Sequence, residues 1–101
     1  MKLYLDDIRK CPDGWIPVRN FLDMIQLLQE QDVTEISLDH DMGGLEPTGY
    51  DLLNWIERKV FEEGFIPPKM YVHTWNLTGR KNMLLAIKKI ESMIKERIGE
   101  K

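Results

Sequence analysis

The chain has 101 residues, of which 43% are hydrophobic and 31% charged, and its formal net charge is −3. This composition predicts a single globular domain, residues 1–101, and excludes both a disordered chain and a protein that binds nucleic acid through an extended basic surface. The lone cysteine, Cys11, excludes an internal disulfide and no apolar run reaches membrane-spanning length, so we expect a cytoplasmic protein without a membrane partner.

The first third of the chain predicts two strands and a helix. Residues 2–6 are an apolar run that ends in aspartate, which is typical of a buried strand. Residues 15–19 indicate a short second strand, and Pro17 restricts it to the edge of a sheet. Asn20 is the expected N-cap of a first helix that ends near Gln31.

The middle of the chain repeats this strand-then-helix pattern. Residues 35–38 form a second apolar run, and a loop containing glycine follows at residues 42–47. Thr48 and Asp51 have the spacing of a capping box at the start of a second helix. Gly64 is the expected C-cap of that helix.

The last third predicts one more strand and a long helix. Residues 69–72 form the third apolar run, and the helix is expected to begin near Thr78 or Gly79. Apolar residues recur there at steps of three and four, which is typical of an amphipathic helix: Met83, Ile87, Ile90, Ile94 and Ile98.

Alternating strands and helices predict an α/β fold built on a mainly parallel sheet. With right-handed crossovers, the first strand lies between the edge strand and the second apolar run. We therefore expect a small three-layer α/β/α sandwich with about four strands in the order 2-1-3-4 and three helices.

Polar side chains follow each of the three apolar runs, at the point where the predicted strand ends. Because parallel strands end at the same edge of a sheet, and because open α/β sheets bind ligands at that edge, these side chains should share one crevice. They are Asp6, Asp7, Asp39, His40, Asp41, His73 and Thr74.

The four carboxylates of this set predict a metal site. Carboxylates that are crowded together repel each other unless a cation neutralises them. Their oxygen atoms favour Mg²⁺, Mn²⁺ or Ca²⁺, and a nearby imidazole favours Mn²⁺ or Zn²⁺. We expect Mg²⁺ or Mn²⁺, with Asp6, Asp7, Asp39 and Asp41 as ligands. The alternative is that Asp6 and Asp7 simply begin a solvated loop.

The two histidines are candidate catalytic residues, together with Asp39. An imidazole gains and loses a proton near neutral pH, so His40 and His73 suit general acid–base chemistry on a phosphate ester. One would take the proton from the attacking group, and the other would protonate the leaving oxygen. A structural histidine that is bonded to a nearby carboxylate is the alternative.

The start of the last helix predicts an anion site. Arg80 and Lys81 place positive charge in the first helical turn, where it is unfavourable against the helix dipole unless an anion binds there. Asn76 and Thr78 have groups that can bind the same anion, and Arg9 follows the first strand closely enough to reach it. An exposed, solvated first turn is the alternative explanation of the two cations.

The expected partner is a small phosphorylated ligand or the end of an RNA. Trp75 follows Thr74 directly and is positioned to stack on a ligand base, whereas Trp15 and Trp55 are assigned to packing. The sequence predicts no particular oligomeric state.

Several motifs together resemble the cyclic-phosphate processing receiver-like domain family. They are Leu5-Asp6-Asp7-Ile8-Arg9, Ser37-Leu38-Asp39-His40-Asp41-Met42-Gly43, Thr48-Gly49-Tyr50-Asp51 and Val72-His73-Thr74-Trp75-Asn76. The resemblance implies a fold derived from the receiver domain of response regulators. It also implies a role in processing cyclic phosphates, such as those at the ends of cleaved RNA.

The likeness to receivers also implies roles for single residues. In receivers, an acidic pair after the first strand and an aspartate after the third hold Mg²⁺, and that third-strand aspartate accepts a phosphoryl group. Asp6, Asp7 and Asp39 match these positions, and Thr74 matches the receiver's hydroxyl residue, which makes it a candidate substrate-binding residue. Receivers also carry a lysine after a fifth strand, and this chain offers no fifth strand after Thr78.

Three functions are consistent with these residues. The first is a metal-dependent phosphoesterase that acts on a cyclic phosphate or a related phosphodiester. The second is a receiver-like phosphoacceptor at Asp39, and the third is a non-catalytic regulatory module that binds a nucleotide or a metal. The histidines, which ordinary phosphorelay does not require, favour the first.

Overall fold

A computed structural model describes residues 1–6, 10–40 and 48–99, the last three by their backbone alone. The described residues form, in chain order, β1 (Lys2–Leu5), β2 (Ile16–Val18), α1 (Phe21–Glu30), β3 (Glu35–Leu38), α2 (Gly49–Glu63), β4 (Lys69–Val72) and α3 (Leu77–Gly99). The strands pair in parallel in the order β2-β1-β3-β4. The predicted strand order, strand direction and number of helices are confirmed.

Local capping chemistry sets the ends of α1 and α2. The side chain of Asn20 accepts a hydrogen bond of 2.9 Å from the backbone N–H of Asp23. Thr48 and Asp51 form the predicted capping box, and Gly64 ends α2 in the left-handed conformation with φ 69°. Each helix therefore begins or ends where its cap satisfies backbone groups that the helix leaves open.

The start of α3 differs slightly from the prediction. The helix begins at Leu77, one residue before the expected start, because Asn76 is its N-cap. The Oδ1 atom of Asn76 accepts a hydrogen bond of 2.8 Å from the N–H of Gly79, three residues on.

The described residues share one hydrophobic core on one face of the sheet. Because side chains alternate along a strand, only every second strand residue reaches it. The fully or nearly fully buried core residues are Leu3, Leu5, Val18, Met24, Leu28, Ile36, Leu38, Leu52, Leu53, Ile56, Val60, Met70, Met83, Ile87 and Ile90.

The layering differs from the three-layer sandwich that we expected. α1 contacts α2, α2 contacts α3, and residues of these helices share the one core on the same face of the sheet. The physical reason lies in the strand order. The connection from β2 to β3 through α1 and the connection from β3 to β4 through α2 both run toward the β4 edge of the sheet. Right-handed crossovers that move the same way lie on the same face.

The opposite face, which we call the open face, bears no helix among the residues that the structure describes. On this face, Tyr4 of β1, Ser37 of β3 and Tyr71 of β4 lie side by side across the sheet, because they are paired in register. Trp15, which precedes β2, packs over these residues. Its ring centroid lies 6.3 Å from the ring centroid of Tyr4 and 6.3 Å from that of Tyr71.

Candidate functional site

Three of the predicted site residues lie side by side at the carboxyl edge of the sheet. Asp6, Asp39 and His73 directly follow β1, β3 and β4. The N–H of Asp39 donates to the Leu5 carbonyl at 3.0 Å and the N–H of His73 to the Leu38 carbonyl at 2.9 Å, so the ladder continues beyond the strands. Neighbouring strands are about 5 Å apart, which places Asp39 one step from each of the other two.

The Asp6 carboxylate is buried and pairs with His73. Asp6 is 0% exposed, and its Oδ2 atom lies 3.1 Å from Nε2 of His73. A carboxylate only accepts hydrogen bonds, so Nε2 is the nitrogen that carries the proton. The pair satisfies a charge that would otherwise be unfavourable in the protein interior.

Ser37 and Tyr4 hold the imidazole of His73 from two further sides. The Ser37 hydroxyl lies 2.7 Å from Nδ1, and the Tyr4 ring stacks on the imidazole with centroids 3.9 Å apart. With Nε2 protonated, Nδ1 of the neutral ring accepts the hydrogen bond that the hydroxyl donates. Both ring nitrogens therefore have partners, and these contacts orient the imidazole.

Sequence reasoning missed Ser37 and Tyr4, although a signal for both was present. Each lies two residues before an aspartate at a strand end, Tyr4 before Asp6 and Ser37 before Asp39. Residues two apart on a strand share a face, so the polar Ser37 within a buried run is positioned on the face of the site.

His40 packs between the beginnings of α2 and α3. Its carbonyl accepts a hydrogen bond of 3.3 Å from the N–H of Gly49. A Cβ atom at Gly49 would collide with the backbone oxygen of Asp39, and one at Gly79 would lie 2.5 Å from Cγ of the His40 ring. Both glycines are thus required for the two helices to approach the Asp39–His40 segment closely.

The loop between β4 and α3 is held by its own polar groups. Thr74 Oγ1 accepts a hydrogen bond of 3.2 Å from the N–H of Asn76, whose side chain caps α3. Arg80 donates from Nη1 to the carbonyl of Val72 at 3.3 Å. For a ligand, Thr74 retains its hydroxyl proton, Asn76 the N–H donors of its amide, and Arg80 its other guanidinium N–H groups.

A cation that sequence reasoning missed also lies at this edge. Arg19 directly follows β2, and its Nη1 atom donates to the backbone carbonyl of Asp6 at 2.9 Å. Its position at the end of the predicted edge strand was the available signal, because all parallel strands end at the same edge.

The described residues fit part of a divalent metal site. Asp6 and Asp39, 0% and 8% exposed, are buried carboxylates at adjacent strand ends. Mg²⁺ is commonly bound by one or two carboxylates, with water and phosphate oxygens filling its remaining positions. Among residues 1–6, 10–40 and 48–99 there is no group of three or more metal-binding side chains. Asp7, Asp41 and Arg9 lie outside the described residues.

A family model described as cyclic-phosphate processing receiver domain matches residues 1–89. The chain belongs to this family. Comparisons with curated proteins and with solved structures gave no match. Within the described part of the chain, no helix combines the length and the apolar character needed to cross a membrane.

The structure also shows how the domain departs from an ordinary receiver. Within the residues that the structure describes, β4 is followed by α3 and no fifth strand is present. The position where receivers carry their conserved lysine therefore has no counterpart among these residues. Asp6 and Asp39 directly follow β1 and β3 at the carboxyl edge of the sheet, and Thr74 lies two residues after β4.

Proposed function

We propose that the domain is a cytoplasmic, metal-dependent phosphoesterase that opens a cyclic phosphate or a related phosphodiester, with RNA ends among its substrates. One observation carries this proposal: buried Asp6 and Asp39 lie beside an imidazole, that of His73, whose two nitrogens are both held. The family description, cyclic-phosphate processing, supports the substrate class.

Mg²⁺ or Mn²⁺ is the proposed cofactor, with Asp6 and Asp39 as ligands and Asp7 and Asp41 as further candidates. When bound, such a cation neutralises phosphate oxygens and the crowded carboxylates. The hydrogen bond from His73 orients the Asp6 carboxylate for this role.

The histidines move the protons in this proposal. A water oxygen attacks phosphorus while His40, which is half-buried, accepts the water proton. The bond between phosphorus and one ring oxygen breaks, and that oxygen leaves as a hydroxyl after it receives a proton from His73. For this transfer, His73 is protonated on both nitrogens, and the leaving oxygen replaces Asp6 as the acceptor of its Nε2–H.

The loop after β4 is proposed to hold the phosphate. Thr74 and Asn76 lie on the short segment that links His73 to α3, and Arg80 lies in the first turns of α3. Arg9 is a further candidate from the sequence. Hydrogen-bond donors directed at the phosphate oxygens stabilise the charge that develops as the ring opens.

The test is to incubate the purified protein with an oligonucleotide that ends in a 2′,3′-cyclic phosphate, with Mg²⁺ or Mn²⁺, and to follow ring opening by ³¹P NMR. We expect turnover that EDTA abolishes. Asp39→Asn and His73→Ala should lower the rate by about 100-fold or more, as is typical for loss of a metal ligand or a proton-transfer group.

Asp32→Asn is the matched control, because Asp32 is an exposed aspartate whose backbone carbonyl alone binds the N-terminus. This variant should retain the full rate. Absence of ring opening by the wild-type protein with both metals would contradict the proposed activity.

A phosphoacceptor role for Asp39 is the second candidate, because Asp39 ends β3 next to Asp6, as the resemblance to receivers implies. Stable labelling by acetyl phosphate that is lost in Asp39→Asn would favour it. Micromolar nucleotide binding without turnover, retained in His73→Ala, would instead favour the third function, a regulatory binding module.

A further inference from the structure

Ser37, His73 and Asp6 form one continuous series of hydrogen bonds. The Ser37 hydroxyl lies 2.7 Å from Nδ1 of His73, and Nε2 of the same ring lies 3.1 Å from Oδ2 of Asp6. Because Nε2 carries the proton that faces the carboxylate, Nδ1 is the basic nitrogen and the serine donates to it. A serine bonded to one imidazole nitrogen, with a carboxylate on the other, is the arrangement that activates a serine as a nucleophile.

The surroundings of the imidazole suit it to the role of a base. Asp6 is 0% exposed and the His73 side chain 13% exposed, so water screens the attraction between them only weakly. The carboxylate therefore stabilises the positive charge that forms when the imidazole takes the serine proton. The Tyr4 ring, stacked on His73 with centroids 3.9 Å apart, holds the orientation of the base.

Packing alone does not call for a serine at position 37. Ser37 is paired in register with Tyr4 on one side and Tyr71 on the other, and Trp15 packs against both tyrosines. Large aromatic and β-branched side chains are the ones that strands favour in such a setting. A hydroxyl that is buried there is unfavourable unless it is hydrogen-bonded, and the partner of this hydroxyl is the base itself.

Ser37 also lies close enough to the candidate site to reach a phosphate there. It precedes Asp39 by two residues on the same strand line, so the two side chains project from the same face about 7 Å apart. That face is the open face, which bears no helix among residues 1–6, 10–40 and 48–99. Ser37 is 6% exposed, so its Oγ atom is accessible only to a small group such as a phosphoryl group.

We propose that Ser37 is a nucleophile, activated by His73 and Asp6, that attacks phosphorus and forms a covalent phosphoserine intermediate. The inference rests on the proposed function and divides its reaction into two steps. Ser37 rather than water attacks first, and water attacks in the second step.

Protons and bonds balance in both steps. In the first, the bond between Ser37 Oγ and phosphorus forms and the bond to one ring oxygen breaks. The serine proton goes to Nδ1 of His73, and the leaving oxygen takes the proton of Nε2. The second step is the reverse with water in place of the leaving hydroxyl: water gives a proton to Nε2, and Oγ leaves phosphorus with the proton of Nδ1. The products are a phosphomonoester and the unmodified serine.

The experiment treats the purified protein with diisopropyl fluorophosphate, which phosphorylates activated serines with loss of fluoride. Fluoride leaves without a proton and without a cation, so labelling tests Ser37 separately from ring opening. Mass spectrometry of peptides locates the adduct and gives its rate of formation. We expect an adduct on Ser37 that is absent in Ser37→Ala and forms at least about 100-fold more slowly in His73→Ala and in Asp6→Asn.

Ser92 is the matched control, because it is the other serine of the chain and is exposed on α3. Ser92→Ala should be labelled on Ser37 at the wild-type rate, and Ser92 should stay unmodified in the wild type. The wild-type result alone decides whether Ser37 reacts, since it needs no variant to fold. Absence of an adduct on Ser37 would overturn the inference, as would labelling of Ser92 at the same rate or an undiminished rate in a folded His73→Ala variant.

The same measurements separate failure of this inference from failure of the proposed function. Ring opening of a cyclic phosphate by a protein whose Ser37 is not labelled would overturn the inference and leave the proposed function in place. Labelling of Ser37 in a protein that opens no cyclic phosphate would support the nucleophile and contradict the proposed activity.

Discussion

The imidazole of His73 lies flat on the phenol ring of Tyr4, with the ring planes 7° apart and the centroids separated by 3.9 Å. Tyr4 is on β1 and His73 follows β4, so this contact reaches across β3. The residue of β3 that it crosses is Ser37, whose hydroxyl binds Nδ1 of the same imidazole. Because Ser37 is small and polar, the imidazole of His73 can lie over β3, bind the Ser37 hydroxyl and reach Asp6.

Ser37→Ala should lower the free energy of unfolding by about 1 kcal/mol, because the variant removes one buried hydrogen bond. Ser37→Val should lower it further, by about 2–3 kcal/mol, since the added methyl groups crowd the imidazole and leave Nδ1 without its donor. Urea denaturation measures both. Ser92→Ala, at an exposed position of α3, is the control and should change stability by less than about 0.5 kcal/mol. Equal stability of Ser37→Val and Ser92→Ala would contradict the contact.

Gly79→Ala should destabilise the protein, although alanine normally stabilises a helix relative to glycine by up to about 1 kcal/mol. The reason is the His40 ring, which would lie 2.5 Å from the new Cβ atom. A double-mutant cycle isolates this contact. In a His40→Ala background the clash is absent, so Gly79→Ala should there become neutral or stabilising, as measured by thermal unfolding. The same destabilisation in both backgrounds would show that His40 is not the neighbour that requires glycine.

Asn76 has a capping role that can be separated from its proposed role in phosphate binding. Asn76→Ala should lower the unfolding free energy by about 1 kcal/mol, because α3 loses its N-cap. Asn76→Asp retains a capping oxygen, so its stability should equal that of the wild type, while its negative charge should weaken phosphate binding. Denaturation and titration calorimetry with inorganic phosphate give the two readouts. Wild-type phosphate affinity in Asn76→Asp would remove Asn76 from the proposed site.

Trp15 should contribute to stability as a cover of the open face. It is half-buried and contacts Tyr4 and Tyr71, so Trp15→Ala should lower the unfolding free energy by about 2 kcal/mol. Trp75→Ala is a control of identical chemistry at an 87% exposed position and should shift it by less than about 0.5 kcal/mol. Chemical denaturation compares the two variants directly. Equal losses would mean that the open face does not depend on Trp15.

Several parts of the fold were predictable because they depend on nearby residues. The caps at Asn20, Thr48 and Gly64 each act within a few positions of the chain. Short apolar runs located β1, β3 and β4, and helical periodicity together with the caps located the helices. The placement of the helices on one face of the sheet could also have been predicted from the sequence. The strand order 2-1-3-4 with right-handed crossovers already requires α1 and α2 to share a face, and the expected three-layer sandwich did not take this into account.

The surroundings of the site residues were not predictable in this way. His73 meets Asp6 from 67 positions along the chain and Ser37 from 36, and only the pairing of β1, β3 and β4 makes them neighbours. Likewise, no local pattern indicates that Gly79 lies against His40. Local chemistry acts over a few residues and determines which side chains end a strand or cap a helix. Contacts between distant segments depend on strand register and helix packing, and they exist only once the whole chain has folded.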